Sequence, residues 1–352
     1  MNHPAAPYHE HAVRAEVAKI CDEHGLKYRQ DAFGNLLIEI PSNSRGRPLV
    51  LAAHMDHPGF EIVKFASTRR VLARFHGGVA DSYFRPGVRL RLMPGNVAAK
   101  LEARQGEERV FAVKAKKVME SLPRFAVWEL ENFAVRNGRI YGRSCDDLIG
   151  VAAVLATMIE LKRASKRAHV IGAISRAEEV GFHGALALAT MRELPANSLI
   201  ISLETSRELP GVKMGQGVIV RIGDRTSIFD SDASRFLMET AARLKTRNGE
   251  FSFQRGLMSG GTCEATAYQE FGFQTAALCV ALGNYHNCAA QNKIKAEYVS
   301  ITDALSMVDL LKATAENMGD YRALVEKLPK RLKEMSRQAR VRLRKTVDLD
   351  FA

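Results

Sequence analysis

Arg176-Ala-Glu178-Glu179-Val-Gly-Phe-His-Gly184 begins one residue after the apolar run His169-Val-Ile-Gly-Ala-Ile174. An alanine-rich stretch follows it. The run reads as a buried strand, because a strand covered on both faces is apolar throughout. Two adjacent carboxylates then stand at the carboxyl end of that strand, where open α/β sheets place their ligands. Desolvating both without compensation is costly. One division of labour gives a metal ion to one carboxylate and a water molecule to the other. A Glu-Glu pair alone is more often a solvated helix or loop feature, so the rest of the chain decides.

The chain has 352 residues, enough for two domains or one large α/β domain with an insertion. An apolar fraction of 46% and a charged fraction of 26% are ordinary globular values. Met1 to His11 has neither a basic n-region nor an apolar h-region. No run approaches the roughly 18 apolar residues of a membrane span. A soluble, non-exported, cytoplasmic protein without a membrane partner is expected. The five cysteines, Cys21, Cys145, Cys263, Cys279 and Cys288, are scattered and form no Cys-x-x-Cys pair, which fits a reducing compartment. The net charge of +12 is uneven: residues 321 to 345 carry ten Lys or Arg against two Glu.

In order, Ala12 to His24 reads as an amphipathic helix with Val13, Val17 and Ile20 on one face. Leu26 to Arg29 and Asn35 to Ile40 read as strands around the turn Asp31-Ala-Phe-Gly34-Asn35. Ser42 to Pro48 reads as a polar loop. Leu49-Val-Leu-Ala-Ala53 is an apolar strand ending in His54-Met-Asp56-His57-Pro58. A His at a strand end with an Asp two residues on is a metal-site pattern, since the Asp can accept the second ring N–H. Phe60 to about Tyr141 is different: short alternating segments punctuated by Gly, Pro and charge, with a hint of helix only at Val118 to Leu122. Trp128 reads as core.

The α/β texture returns at Cys145-Asp146-Asp147-Leu148, where paired Asp residues open an apolar helix to about Lys162. Capping and the helix dipole account for one of them. Further on come a helix near Ala185 to Arg192, a strand Leu199 to Leu203 ending in Glu204, a glycine-rich segment Gly211 to Gly223, and a helix from Ser234 to Thr246. Met258-Ser-Gly-Gly-Thr-Cys263 leads into another helix. A strand Thr275 to Ala281 precedes His286. Ser300-Ile-Thr-Asp303 resembles a capping box opening a helix through about Glu316. Gly215-Gln-Gly217 lacks the order of a phosphate loop.

His54, Glu178, Glu179, Glu204 and His286 thus each lie at or just past the end of an apolar strand, and Asp146 sits before a buried helix. In an open parallel sheet such ends converge on one crevice. Two His and several carboxylates suit two divalent ions, an arrangement that recurs in hydrolases.

The order His-x-Asp, Asp-Asp-x-x-Gly, Glu-Glu, Glu, His resembles that of the co-catalytic zinc aminopeptidases, and within them the glutamyl aminopeptidase family, also called TET or cellulase M-like. The matching pieces are Asp31-Ala-Phe-Gly-Asn35, Ala53-His-Met-Asp56, Cys145-Asp-Asp147, Glu178-Glu-Val-Gly181, Gly260-Gly-Thr262 and Tyr285-His286, within residues 8 to 318. The resemblance implies that His54 and Glu204 hold one metal and that Asp146 bridges to a second held by Glu179 and His286. It implies Glu178 as general base toward a metal-bridging water, Asp56 as the residue orienting His54, and a cis peptide between Asp146 and Asp147. It implies two divalent ions, zinc first with cobalt or manganese as alternatives, and a homo-oligomer, from dimer to dodecamer, built through the inserted domain. This chain departs from the family pattern at His57-Pro58 (usually Glu-Ile), Leu148 (Arg), Glu204 (Asp) and Cys263 (Asp). His57 has two readings, a substrate contact or a solvent-facing turn residue; His183 reads as peripheral.

The expected fold is α/β: a mixed, mostly parallel sheet flanked by helices, zinc-exopeptidase-like, with an inserted small β-rich domain. Residues 1–64 and 139–318 would form a discontinuous catalytic domain, 65–138 the insert serving oligomerisation or substrate access, and 319–352 a basic tail. The tail reads as helix from Arg322 to Lys345, interrupted at Pro329, with Leu324, Leu328, Leu332 and Met335 on one stripe. A nucleic-acid partner is not expected, though the basic tail leaves it open. The expected activity is removal of N-terminal residues from peptides. The alternatives are a deacylase or amidohydrolase on small N-acyl substrates, and a non-catalytic binding protein. The intact set of acids and His weighs against the last, because clustered buried carboxylates are costly unless a metal offsets them.

Overall fold

The structure, a computed structural model, describes residues 1–41, 46–106, 108–164 and 168–347. Residues 42–45 of the expected polar loop and 348–352 of the tail lie outside the described residues.

Helix α1 (His11–Glu23) leads into an antiparallel pair, β1 (Lys27–Gln30) and β2 (Leu36–Ile40), and then β3 (Leu49–His54). Six strands follow: β4 (Gly59–Ser67), β5 (Arg70–His76), β6 (Arg89–Met93), β7 (Val97–Arg104), β8 (Val110–Ala115) and β9 (Phe125–Trp128). They close into a barrel in the order β4-β5-β8-β7-β6-β9. The alternating pattern of these segments fills it: Phe60, Phe75, Leu90, Leu92, Phe111 and Trp128 all point into one core. No helix forms at Val118 to Leu122, whose residues are bends and coil beside the barrel.

After β10 (Phe133–Arg136) and β11 (Arg139–Gly142) the chain alternates helix and strand: α2 (Cys145–Arg163), β12 (Val170–Ser175), α3 (His183–Thr190), β13 (Leu199–Arg207), β14 (Val218–Gly223), α4 (Ser231–Arg247), β15 (Phe253–Leu257), α5 (Glu264–Glu270) and β16 (Gln274–Gly283). A two-stranded excursion, β17 (Cys288–Ala289) and β18 (Lys293–Ile294), precedes β19 (Glu297–Ser300), α6 (Ile301–Glu316) and α7 (Tyr321–Thr346).

The main sheet runs β1-β2-β12-β3-β13-β16-β19-β11-β10, with β14 and β15 branching from β16. Its centre, β12-β3-β13-β16, is parallel, and its flanks are antiparallel. Alternation along each central strand splits the apolar residues between two layers. Leu49, Leu51, Val170, Ile174, Leu199 and Ile201 pack with α2, α4 and α6. Val50, Ala52, Ile171, Ala173 and Ile200 pack with α3 and α5 on the other face. Both faces are therefore dry, which is why these runs carry no polar alternation. Among the described residues no helix is long and apolar enough to cross a membrane.

Three local differences from the sequence reading have physical reasons. First, the glycine-rich segment contains β14, whose Val218-Ile-Val220 is buried. Its glycines serve an anchored turn instead: the amides of Gly215 and Gly217 donate to the carboxylate of Asp303 at 2.7 and 2.8 Å. Second, that contact removes Asp303 from the expected capping box, and Ser300 makes no side-chain cap bond but meets Thr302 instead. Third, α7 runs unbroken through Pro329. A proline deprives the carbonyl four residues earlier of its helical donor. Here that carbonyl, on Val325, accepts from Arg235 Nη1 at 3.1 Å.

Candidate metal centre

The carboxyl ends of β3, β12 and β13 meet the start of α2 and the turn after β16. His54 is the last residue of β3, and Glu178 and Glu179 form a one-turn 3-10 helix just past β12. Glu204 lies inside β13, because that strand continues beyond its apolar run to Arg207. His286 sits in the turn after β16, and Asp146 in the first turn of α2, joined to Asp147 by a cis peptide bond.

These residues form two groups that share Asp146. Ligand atoms of His54, Asp146 and Glu204 lie within 4.8 Å of one another, and so do those of Asp146, Glu179 and His286. Both imidazoles present Nε2 to the shared carboxylate. His54 Nδ1 is 3.2 Å from the main-chain oxygen of Asp56, and its Nε2 is 3.5 Å from Asp146 Oδ1. His286 Nδ1 is 2.9 Å from Gly78 O, and its Nε2 lies 3.5 Å from Asp146 Oδ2 and 3.2 Å from Glu179 Oε1. With Nδ1 beside a carbonyl that can accept its proton, the neutral form of each ring would turn an Nε2 lone pair inward, as a metal-binding His requires. Asp146 Oδ1 and Glu179 Oε1 are buried with no hydrogen-bond partner among the described residues. Two imidazoles, three carboxylates and orphaned buried oxygens fit a pair of divalent cations.

Glu178 belongs to neither group. Its Oε2 stands 4.0 Å from His54 Nε2. Burial, reinforced by the negative charges of Glu204, Glu179 and Asp56, pushes its carboxyl well above the usual range against the pull of His54. Burial and the neighbouring Asp146 lift Glu204 to about 8. Burial alone would lower both imidazoles, but the surrounding carboxylates outweigh it and raise them. Burial would likewise raise Asp146, but the two imidazoles facing it, His286 and His54, hold it well below the usual range.

Asp56 contributes mainly through the loop it holds. Its Oδ1 accepts the amide of Glu178 at 2.9 Å and its Oδ2 that of Glu179 at 3.1 Å, while Oδ1 lies 3.5 Å from His54 Nδ1. Asn35, from the turn after β1, braces the same loop: its Oδ1 accepts from Arg176 N and its Nδ2 donates to Gly184 O. Gly184 has to be glycine, since a Cβ there would lie 2.5 Å from the backbone of Arg176.

His57 fits neither of its sequence readings: it is buried, 1% exposed. Its Nδ1 is 2.8 Å from Asp146 O and its Nε2 3.0 Å from Asn287 Oδ1. Glu297, also buried, accepts the Asp146 amide at 3.0 Å. The peptide groups on both sides of Asp146 are thus clamped. Neither Glu297, Asn287 nor Gly78 was singled out from sequence; the only available signal was that Glu297 is the sole acid between His286 and Asp303. His183 is peripheral, 3.0 Å from the Tyr8 hydroxyl. Beside the centre, Arg207, Arg225, Gly260, Gly261, Thr262 and Tyr285 line an open groove.

A family model described as M42 glutamyl aminopeptidase matches residues 112–308, more than half of the chain. A search of curated proteins found no match. Among solved structures, the Pyrococcus horikoshii TET1 peptidase, which can assemble into a tetrahedron or a large octahedral shell, is 23% identical, with 89% of this chain and 96% of that chain covered and a TM-score of 0.74. A TET aminopeptidase from the marine sediment archaeon Thaumarchaeota archaeon SCGC AB-539-E09 is 18% identical over 92% of this chain and 95% of that chain, TM-score 0.75. An M18-family aminopeptidase from Thermotoga maritima is 13% identical over 87% and 92%, TM-score 0.62. At these identities the likeness to solved structures is one of fold.

Proposed function

The chain belongs to the M42 glutamyl aminopeptidase family and is a metallo-aminopeptidase, and from that premise we propose that it removes N-terminal residues from peptides at a dinuclear centre. The observation that carries the proposal is the pair of ligand groups sharing Asp146. His54, Asp146 and Glu204 would hold one ion, and Asp146, Glu179 and His286 the other, zinc being the first choice for such donors and cobalt or manganese the alternatives. Two ions there would acidify a shared water and polarise the scissile carbonyl.

The protein groups do the rest. Glu178, outside both ligand groups and beside His54, takes a proton from the attacking water and returns it to the leaving amine. Asp56 holds the amides of Glu178 and Glu179 and so fixes the loop that presents the base. Arg207 and Arg225, both exposed, put positive charge on the groove wall and favour an acidic N-terminal side chain.

The proposal extends to organisation. The main sheet with its helices acts as the catalytic domain, the barrel strands β4 to β9 as an insert controlling assembly and access, and residues 319–352 as a tail. A homo-oligomer, between a dimer and a dodecamer, is supported by exposed Val63, Phe65, Val118 and Leu122 around the barrel. A cytoplasmic location is supported by the five free cysteines. Mass spectrometry of a mixed peptide pool, with and without a chelator, tests the activity. Chelator-sensitive ladders shortening from the N-terminus, Glu and Asp first, are expected. No cleavage with added zinc, cobalt or manganese would turn the reading to the small N-acyl substrates of a deacylase.

A further inference from the structure

Helix α7 is docked by its first two turns alone. Leu324 is buried, Tyr321 packs on Phe236 with ring centroids 4.9 Å apart, and Lys327 pairs with Glu239. From Leu328 to Val347 every residue is exposed. That length of helix reaches about 30 Å from the body.

The free part has two faces. Leu328, Leu332, Met335, Ala339 and Leu343 recur at spacings of three and four residues, which places them on one side. The same line begins at Leu324 and Val325, in the docked turns. Leu328, Leu332, Met335 and Leu343 are 42%, 52%, 51% and 67% exposed. The remaining circumference is mostly basic, with Val341 exposed among the cations. The one described acid of the free part, Glu334, is taken by Arg337, and Glu326 just before it by Arg322 and Lys330. Among the described residues Arg331, Lys333, Arg340, Arg342, Arg344 and Lys345 form no ion pair.

We propose that α7 lies along an anionic lipid bilayer, with the leucine stripe at the acyl boundary and the Arg and Lys side chains among the headgroup phosphates. A basic amphipathic helix of this kind rests in the interface plane and needs no spanning run, so the absence of one does not count against it. Each rival occupant satisfies only half of the helix. A nucleic acid would take the cations and leave the leucines in water. A second copy would cover the leucines but bring two strongly basic helices together. A lipid surface accepts both, and flanking Arg and Lys can snorkel to its phosphates.

The test is flotation of the full-length, metal-loaded protein with vesicles of phosphatidylcholine alone or with about one-third phosphatidylglycerol. We expect at least about ten-fold more protein on the anionic vesicles, and release at about 0.5 M salt, where charges are screened. The double variant Leu332→Asp/Met335→Asp and the triple variant Arg340→Glu/Arg342→Glu/Arg344→Glu should both stay in solution, with peptide hydrolysis unchanged as proof of folding. Equal binding to neutral and anionic vesicles would overturn the proposal, and so would no binding to either. Wild-type-like flotation of the Asp variant would reduce the helix to a general polycation. Loss of oligomer mass in the Asp variant, with no flotation of the wild type, would assign the stripe to a second copy.

Discussion

Glu178 and Glu179 are neighbours in sequence with different surroundings. Glu179 Oε1 faces His286, whereas Glu178 stands apart from both ligand groups. Glu178→Gln should therefore lower turnover by about 10²-fold or more while bound metal stays near the wild-type level, measured by peptide hydrolysis beside elemental analysis. Glu204 gives a second prediction. Its carboxyl moves from an ordinary value near 4.5 to about 8 in the metal-free fold, so the folded state binds more protons than the unfolded state across that window. Metal-free protein should thus lose stability as pH rises from about 4.5 to 8. The neighbouring Glu264, lifted by burial to about 7, acts in the same direction. Urea midpoints in chelator at pH 5.5 and 8.5 check the sign, and added zinc should shrink the difference. His57 and Glu297 supply a third prediction: Glu297→Gln and His57→Ala should weaken metal retention by about 10- to 100-fold, because the Asp146 backbone loses its brace. The candidate ligands could be picked out because strand ends and acid or imidazole types coincide in the chain. His57 was visible and misread, since burial cannot be told from a turn motif. Gly78 left no trace because it acts through its carbonyl oxygen.

At the scale of elements, the parallel centre of the sheet was legible from uninterrupted apolar runs, and the helix starts from their periodicity. The branching strand β14 was hidden by its glycines, and the barrel's closure by the absence of any local signal for strand order. The capping box at α6 failed because one carboxylate had two possible uses. Asp303 holds the Gly215 and Gly217 amides, not the helix start. Asp303→Ala should accordingly cost about 2 kcal/mol in a urea titration, the scale of two bonds to a buried charged acceptor, and loosen the Gly211 to Gly217 segment in hydrogen exchange. The tight start of α2 makes a similar point. A Cβ at Gly150 would fall 2.2 Å from Asp147 Oδ2, so the glycine of Asp-Asp-x-x-Gly is a packing requirement of the turn carrying Asp146.

At the scale of the molecule, the site is assembled from segments far apart in the chain, and the barrel side reaches it through Gly78 O on His286. The tail divides at about Lys327: the turns before it belong to the core, and the rest does not. Deleting residues 328–352 should leave hydrolysis of small peptides unchanged, whereas a deletion from residue 321 would uncover Phe236 and lower the melting temperature. The most direct test of the central claim is to count ions. Stripped protein titrated with zinc, followed by calorimetry and elemental analysis, should take up about two ions per chain and regain peptide hydrolysis. Asp146→Ala, which removes the one ligand common to both groups, should retain neither ion tightly. A single ion at full activity, or two ions still held tightly by Asp146→Ala, would contradict a centre built on that shared carboxylate.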